Sequence, residues 1–228
     1  IEPKFLKGSM FEEGFARVVT EGPCVRFDFE APCDDPETLG NAAEGQKPPA
    51  CKFAFINKKG EIISPGRFDQ AKDFSEGLAA VMINGKWGFI DTRGEIVIMP
   101  RFDETGEFSG GFAAVKQGKL WGFINKRGET VIPFRFESVE KFSDGLAPVG
   151  KWSEEGEFGE FHYIDQQGKQ AFPGKFALAS FYFKGVAHVK LIEKNKSEDD
   201  FYLNGKYAYL DTKGKIIFSY ERNSDDED

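Results

Sequence analysis

A six-residue string constrains this chain more than anything else in it. Lys86-Trp87-Gly88-Phe89-Ile90-Asp91 returns about 34 residues later as Leu120-Trp121-Gly122-Phe123-Ile124-Asn125. Weaker copies are Lys52-Phe53-Ala54-Phe55-Ile56-Asn57, Glu160-Phe161-His162-Tyr163-Ile164-Asp165 and Lys206-Tyr207-Ala208-Tyr209-Leu210-Asp211. A period of this length marks a chain of supersecondary units. One unit alone cannot bury its apolar faces, so neighbours must stack.

Further columns run in step with the string. One reads Phe5, Phe68, Phe102, Phe136, Phe176, and a second reads Phe11, Phe74, Phe108, Phe142, Phe181. A glycine column (Gly14, Gly77, Gly111, Gly145, Gly185) is followed by Ala16, Ala79, Ala113, Ala147, Ala187 and by Val18, Val81, Val115, Val149, Val189. Pro3, Pro65, Pro100, Pro133 and Pro173 sit near the start of each unit.

The second unit shows what each copy folds into. Leu78 to Ile83 reads as a strand, rich in residues that pack on a pleated sheet. Asn84-Gly85 is the strongest two-residue hairpin signal, because a type I′ turn needs positive φ at both positions. Lys86 to Asp91 is the return strand. Asp91-Thr92-Arg93-Gly94 is a second turn, the Asp side chain bonding backbone two residues on. Glu95 to Ile98 is a third strand, ended by Pro100, and Phe102 to Phe108 leads into the next unit. No segment keeps a 3.6-residue period over a helix length. The expected class is therefore all-β, a five-unit array of β-meanders.

These columns resemble the bacterial WG (or KWG) repeat family, whose signature is a G-K-W-G-F-I-D core. The second and third copies match it closely. The others are degenerate, with Phe53, Phe161 and Tyr207 in the Trp column and His162 in the small-residue column. The resemblance implies an exported or surface-associated protein, periplasmic or on the cell surface, and says little about activity. Repeat boundaries fall at about 1–61, 62–95, 96–129, 130–169 and 170–218. Together they form one domain over 1–221, followed by an acidic tail, 222–228.

Two architectures stack such units: a closed, five-bladed propeller-like ring, or an open superhelical array. The ends favour the ring. The last unit lacks the Pro-x-Phe segment that Pro3-Lys4-Phe5 supplies at the start, and closure hides sheet edges.

Net charge is −8, which repels phosphate backbones, so nucleic acid is not an expected partner. No apolar run is long enough for a transmembrane helix. No signal peptide is visible, but Ile1 falls inside a repeat, so this does not locate the chain. The three cysteines, Cys24, Cys33 and Cys51, share one irregular segment and allow three pairings. A Cys24–Cys51 disulfide is preferred, because continuing the hairpin outward places Glu21 opposite Cys51. Neither His162 nor His188 is near enough in sequence to complete a zinc site, so no metal and no cofactor are expected.

The columns themselves read as structure. A stack of Trp87, Trp121, Phe53, Phe161 and Tyr207 imitates a sugar platform. A repeated aromatic beside a repeated small residue, however, marks packing. Asn57, Asp91, Asn125, Asp165 and Asp211 imitate calcium ligands, but each opens a turn that ends in Gly. His188 shares a column with Arg17, Ala80, Ala114 and Pro148 that reads as an outward face. No nucleophile elbow, zincin motif or phosphate loop is present, so the chain reads as a non-enzyme.

Departures from the period point to function. Insertions of about Gly22 to Ala50, Gly150 to Glu160 and Ile192 to Asn204 all fall where the second unit has only Asn84-Gly85. Insertions at one topological position emerge on one face, often the binding face. Their off-repeat residues Arg26, Phe27, Phe29, Trp152, Phe158, Phe201 and Tyr202 are the candidate contacts. In a closed ring the three loops become neighbours and form one acidic, aromatic surface. The expected function is recognition of a polar or cationic protein or glycan. An envelope scaffold is the alternative, with a glycoside hydrolase behind it.

Overall fold

The computed structural model describes residues 7–21, 52–64, 68–153, 159–192 and 205–222. The chain divides into two compact units, Ile1–Glu107 and Phe108–Asp228. No helix occurs among the described residues.

In the first unit, β1 (Lys7–Gly8), β2 (Phe15–Glu21) and β3 (Lys52–Asn57) form a three-stranded meander. β4 (Gln70–Ser75), β5 (Leu78–Ile83), β6 (Lys86–Asp91) and β7 (Ile96–Phe102) form a four-stranded one. The repeat continues with β8 (Glu104–Ser109), β9 (Phe112–Gln117), β10 (Leu120–Asn125) and β11 (Thr130–Phe136), again in sequential antiparallel order. The division between the units falls within β8. The remaining strands share one seven-stranded sheet: β12 (Ser138–Val139), β13 (Ala147–Trp152), β14 (Gly159–Ile164), β15 (Phe176–Ala179), β16 (Val186–Leu191), β17 (Gly205–Asp211) and β18 (Ile216–Arg222). A single residue pair, Phe161 with Phe176, joins β14 to β15 and so fuses the last two meanders.

The turn chemistry accounts for the register. Asn84 and Gly85 have φ of 52° and 74°, the type I′ pair that matches strand twist. A second two-residue turn of the same hand, Glu76-Gly77 (φ 52° and 82°), closes β4 onto β5. Asp91 Oδ1 accepts the Arg93 N–H at 2.9 Å and the Glu95 N–H at 3.0 Å, and Asn57, Asn125, Asp165 and Asp211 repeat the arrangement. These carboxylates and amides are therefore occupied as turn caps.

Stacking is visible in three clusters. Phe55 of β3 packs on Phe74, Ala79, Val81 and Ile90 of the next meander. Phe123 and Phe142 pack on Ala147, Val149 and Ile164. Tyr163, Phe172 and Tyr182 pack on Ala187, Val189, Ala208 and Leu210. In each of these three clusters one sheet face receives the Ala-x-Val face of its successor. All five Ala and all five Val positions are at most 2 % exposed.

Polar ties reinforce the stacking. Glu13 accepts the N–H groups of Glu76 and Gly77, each at 2.8 Å, and Asp144 accepts that of Gly185 at 2.6 Å. The acid in one turn holds the matching turn of its successor.

Three sequence expectations change. The second aromatic column ends on Tyr182, not Phe181: Tyr182 is fully buried and its hydroxyl donates to the Asp211 carbonyl at 2.8 Å. Six residues separate Phe176 from Tyr182, as they separate Phe136 from Phe142. In the same column Phe11 is exposed, although Phe74, Phe108 and Phe142 are buried. The column read as outward-facing is buried at Arg17, Ala80, Ala114 and Pro148 and only half-buried at His188, whose face carries the exposed rings of Tyr209 and Phe218.

Candidate functional site

The hairpins whose connections outgrow two residues provide the first part of the site. β5–β6 and β9–β10 close directly, Ile83 opposite Lys86 and Gln117 opposite Leu120. The matching connections in β2–β3, β13–β14 and β16–β17 are the three long ones. In β13–β14 the ladder continues outward to Trp152 opposite Gly159, so the insertion there narrows to 153–158.

Trp152 stands at the base of that connection, 44 % exposed. Its indole N–H donates to Ser138 Oγ at 3.2 Å, and its ring meets Phe161 edge-on at 4.9 Å. Gly159 admits the close approach, since a Cβ there would lie 2.3 Å from the Phe161 ring. Across β14, Glu160 pairs with Lys175 at 3.0 Å, and that hydrogen bond holds its carboxyl below the ordinary range. An exposed, anchored indole is a contact surface with little ordering left to lose on binding. The other named contacts, Arg26, Phe27, Phe29, Phe158, Phe201 and Tyr202, lie outside the described residues, as do Cys24 and Cys51 with the proposed disulfide.

The second part escaped the sequence reading. His188 of β16, Tyr207 and Tyr209 of β17, and Phe218 and Tyr220 of β18 form an aromatic ladder across three strands. His188 lies nearly parallel to Tyr207 (5.3 Å, 10°) and to Tyr220 (6.1 Å, 7°), and Tyr207 to Tyr220 (5.5 Å, 17°). His188 Nε2 and the Tyr220 hydroxyl are 3.0 Å apart, and the Lys190 ammonium lies 5.4 Å from the Tyr207 ring. Burial pushes the His188 pKa down and the Tyr220 pKa up. In the first repeat this face is sealed by a neighbour: Arg17 there grips Asp73 through two bonds of 2.7 and 2.9 Å. In the last repeat it is a half-exposed layer of rings. The signal for it was the alternation Tyr207-x-Tyr209 and Phe218-x-Tyr220 on two strands joined by a tight turn.

The Trp column is core at Trp87 (7 % exposed) and Phe161 (5 %), and half-buried at Phe53, Trp121 and Tyr207. Its companion small-residue column is explained by contact. A Cβ on Gly88 would lie 2.4 Å from the Ile98 carbonyl oxygen, and one on Gly122 2.7 Å from that of Ile132. Both glycines sit where the register between β6 and β7, or β10 and β11, shifts around a bulge.

With this geometry established, the family model for the WG containing repeat matches residues 53–87, 87–121 and 121–151. Residues 53–151 carry WG repeats. The first, fourth and fifth units carry the substitutions noted above; the match takes in only the end of the first, stops at 151 within the fourth and leaves out the fifth. No curated protein matches the chain.

Among solved structures, a eukaryotic initiation factor superposes with a TM-score of 0.58 at 10 % identity, covering 96 % of this chain and 55 % of that one. KlHsv2 with loop 6CD replaced by a Gly-Ser linker gives 0.48 at 13 % identity, covering 78 % and 62 %. The chain thus spans less than two thirds of either. The WG repeats are propeller-like in fold.

Proposed function

We propose that this WG-repeat chain is a non-catalytic recognition module. Its β2–β3, β13–β14 and β16–β17 hairpin connections hold a polar or cationic partner, protein or glycan. One observation carries the reading: the hairpin that closes in two residues in the second and third repeats is lengthened in the other three, and the described residue at the base of one of these connections, Trp152, is an exposed indole held by Phe161 and Ser138. Loops on a rigid repeat scaffold are the usual home of such contacts. The acidic balance favours a cationic partner, with association slowed by salt. An exported location belongs to the same proposal and rests on the family resemblance.

The test is capture on glycan arrays and from extracts, comparing the native chain with a variant whose three connections are each replaced by Asn-Gly. The native chain is expected to retain a partner that the folded, trimmed variant loses, with Trp152→Ala weakening it about tenfold or more, the size of an aromatic hot spot. A trimmed variant that keeps its circular dichroism and its partner would overturn the reading.

A further inference from the structure

Outer strands of the repeat sheets are potential templates for pairing, and proteins usually blunt them. β7 and β11 are blunted. Pro100 and Pro133 remove backbone donors, and a bulge opposite Gly88 and Gly122 breaks each ladder. β18 is the contrast. Among the described residues it ends its sheet, it contains no proline, and from Gly205–Arg222 to Tyr209–Phe218 its register to β17 is unbroken. Ala208 stands where Gly88 and Gly122 stand, opposite Ser219 with no bulge. Ile216, Ile217 and Phe218 are 47, 57 and 58 % exposed.

We infer that β18 is a self-association edge, pairing antiparallel with β18 of a second copy about a two-fold axis at Ser219. The backbone sets this register. The Asp211 N–H donates to the Lys215 carbonyl at 3.0 Å, so alternate residues Tyr209 and Tyr207 bond toward β18 and meet Phe218 and Tyr220. Ser219 and Glu221 then turn their N–H and C=O groups outward, while Ile217 is the extra residue between the Tyr209–Phe218 and Leu210–Ile216 pairs. An axis at Ser219 pairs Ser219 with itself and sets Phe218 of each copy opposite Tyr220 of the other.

Side chains agree with the backbone. Phe218 faces Tyr220 of the second copy in a non-hydrogen-bonded pair, the closer kind, where aromatic pairs stabilise most. The ladder His188–Tyr209–Phe218 then runs on into Tyr220 and Tyr207 of the second copy, continuing a stacking the chain already makes internally. A foreign peptide would have to supply the same aromatic pattern, which a second copy supplies by symmetry.

The proposal is tested on the full chain by light scattering after size exclusion, over a wide concentration range. A concentration-dependent dimer is expected. Ser219→Pro removes an outward N–H without touching the β17 bonds and should leave a folded monomer. Ser219→Cys, oxidised, should give a covalent dimer whose cross-linked peptide joins position 219 to itself, because hydrogen-bonded partners across an axis lie about 5.5 Å apart at Cα, within disulfide reach. Ile217→Cys should not cross-link to itself. A chain that stays monomeric at its solubility limit, a dimer indifferent to a folded Ser219→Pro variant, or equal cross-linking at 217 and 219 would each overturn it. Loop trimming at the three long connections should leave the dimer intact, which separates this test from that of partner recognition.

Discussion

The β4–β7 sheet and the β16–β18 end of the last sheet are one motif resolved in two ways. In the first, Gly88 lets the third strand press against the second, and the strand bulges at Pro100. Trp87, Phe89 and Ala80 are buried on one face, Val81 and Ile90 on the other. In the last repeat, Ala208 stands opposite Ser219 in a register unbroken from Gly205 to Tyr209, which shifts only between Tyr209 and Leu210. Tyr207 and Tyr209 replace Trp87 and Phe89, their face remains half-exposed, and polar tips give it partners in water. A single small-residue column therefore helps set two properties at once: how the third strand lies, and whether the sheet's edge is blunt.

The sharpest way to break this comparison is to truncate the same column in both places. Trp87→Ala should cost about 3–5 kcal/mol, the range for emptying a buried aromatic site. Tyr207→Ala should cost only about 1–2 kcal/mol, since much of that ring already meets water. Urea unfolding of both variants measures the gap, and equal losses would remove the distinction between sealed and open faces.

A smaller effect sharpens it. Gly88→Ala should destabilise by about 1–3 kcal/mol, because the new methyl meets backbone that cannot give way. Ala208→Gly should cost about 0.5–1 kcal/mol, from chain entropy alone. If Gly88→Ala proved neutral, the bulge would not depend on the absent Cβ.

The smallest effect is in pH. Burial lowers the pKa of His188, and burial together with Lys175 and Arg135 lowers that of His162. Both folded values lie below the unfolded 6.5, so the folded state binds fewer protons and stability falls as pH drops below about 6.5. The double variant His162→Asn/His188→Asn should flatten the thermal midpoint between about pH 7 and 5. An unchanged slope would mean that the acidic groups alone set it.

The repeat, the turns and the meander were legible in the sequence because they rest on local chemistry: Asn84-Gly85, the Asp91-type turn caps, and the period of the Trp-Gly string. The buried Ala and Val columns followed from the same period. The slip from Tyr182 to Phe181 came from two adjacent aromatics that composition alone does not separate; counting back three from Gly185 does. The column of Arg17 and His188 was misjudged because alternation along one strand shows two faces, while only stacking shows which of them are covered. The ladder was missed for a related reason, since its members meet through the pairing of three strands and not through sequence proximity. Trp152 was read as part of the inserted connection; it is the last residue of β13, because the ladder runs outward to Gly159.

The two-residue turn at Asn84-Gly85 has a practical consequence. Register is fixed on the inner side of that hairpin by Ala79–Ile90 and Val81–Gly88, and on its flanks by neighbouring strands, so the turn itself need specify little. The chain already tolerates long replacements at three equivalent points. The two short turns are thus open sockets for peptide display: an antigen or affinity tag spliced between Ile83 and Lys86 would be presented on a stiff stem, with its ends held a strand's spacing apart.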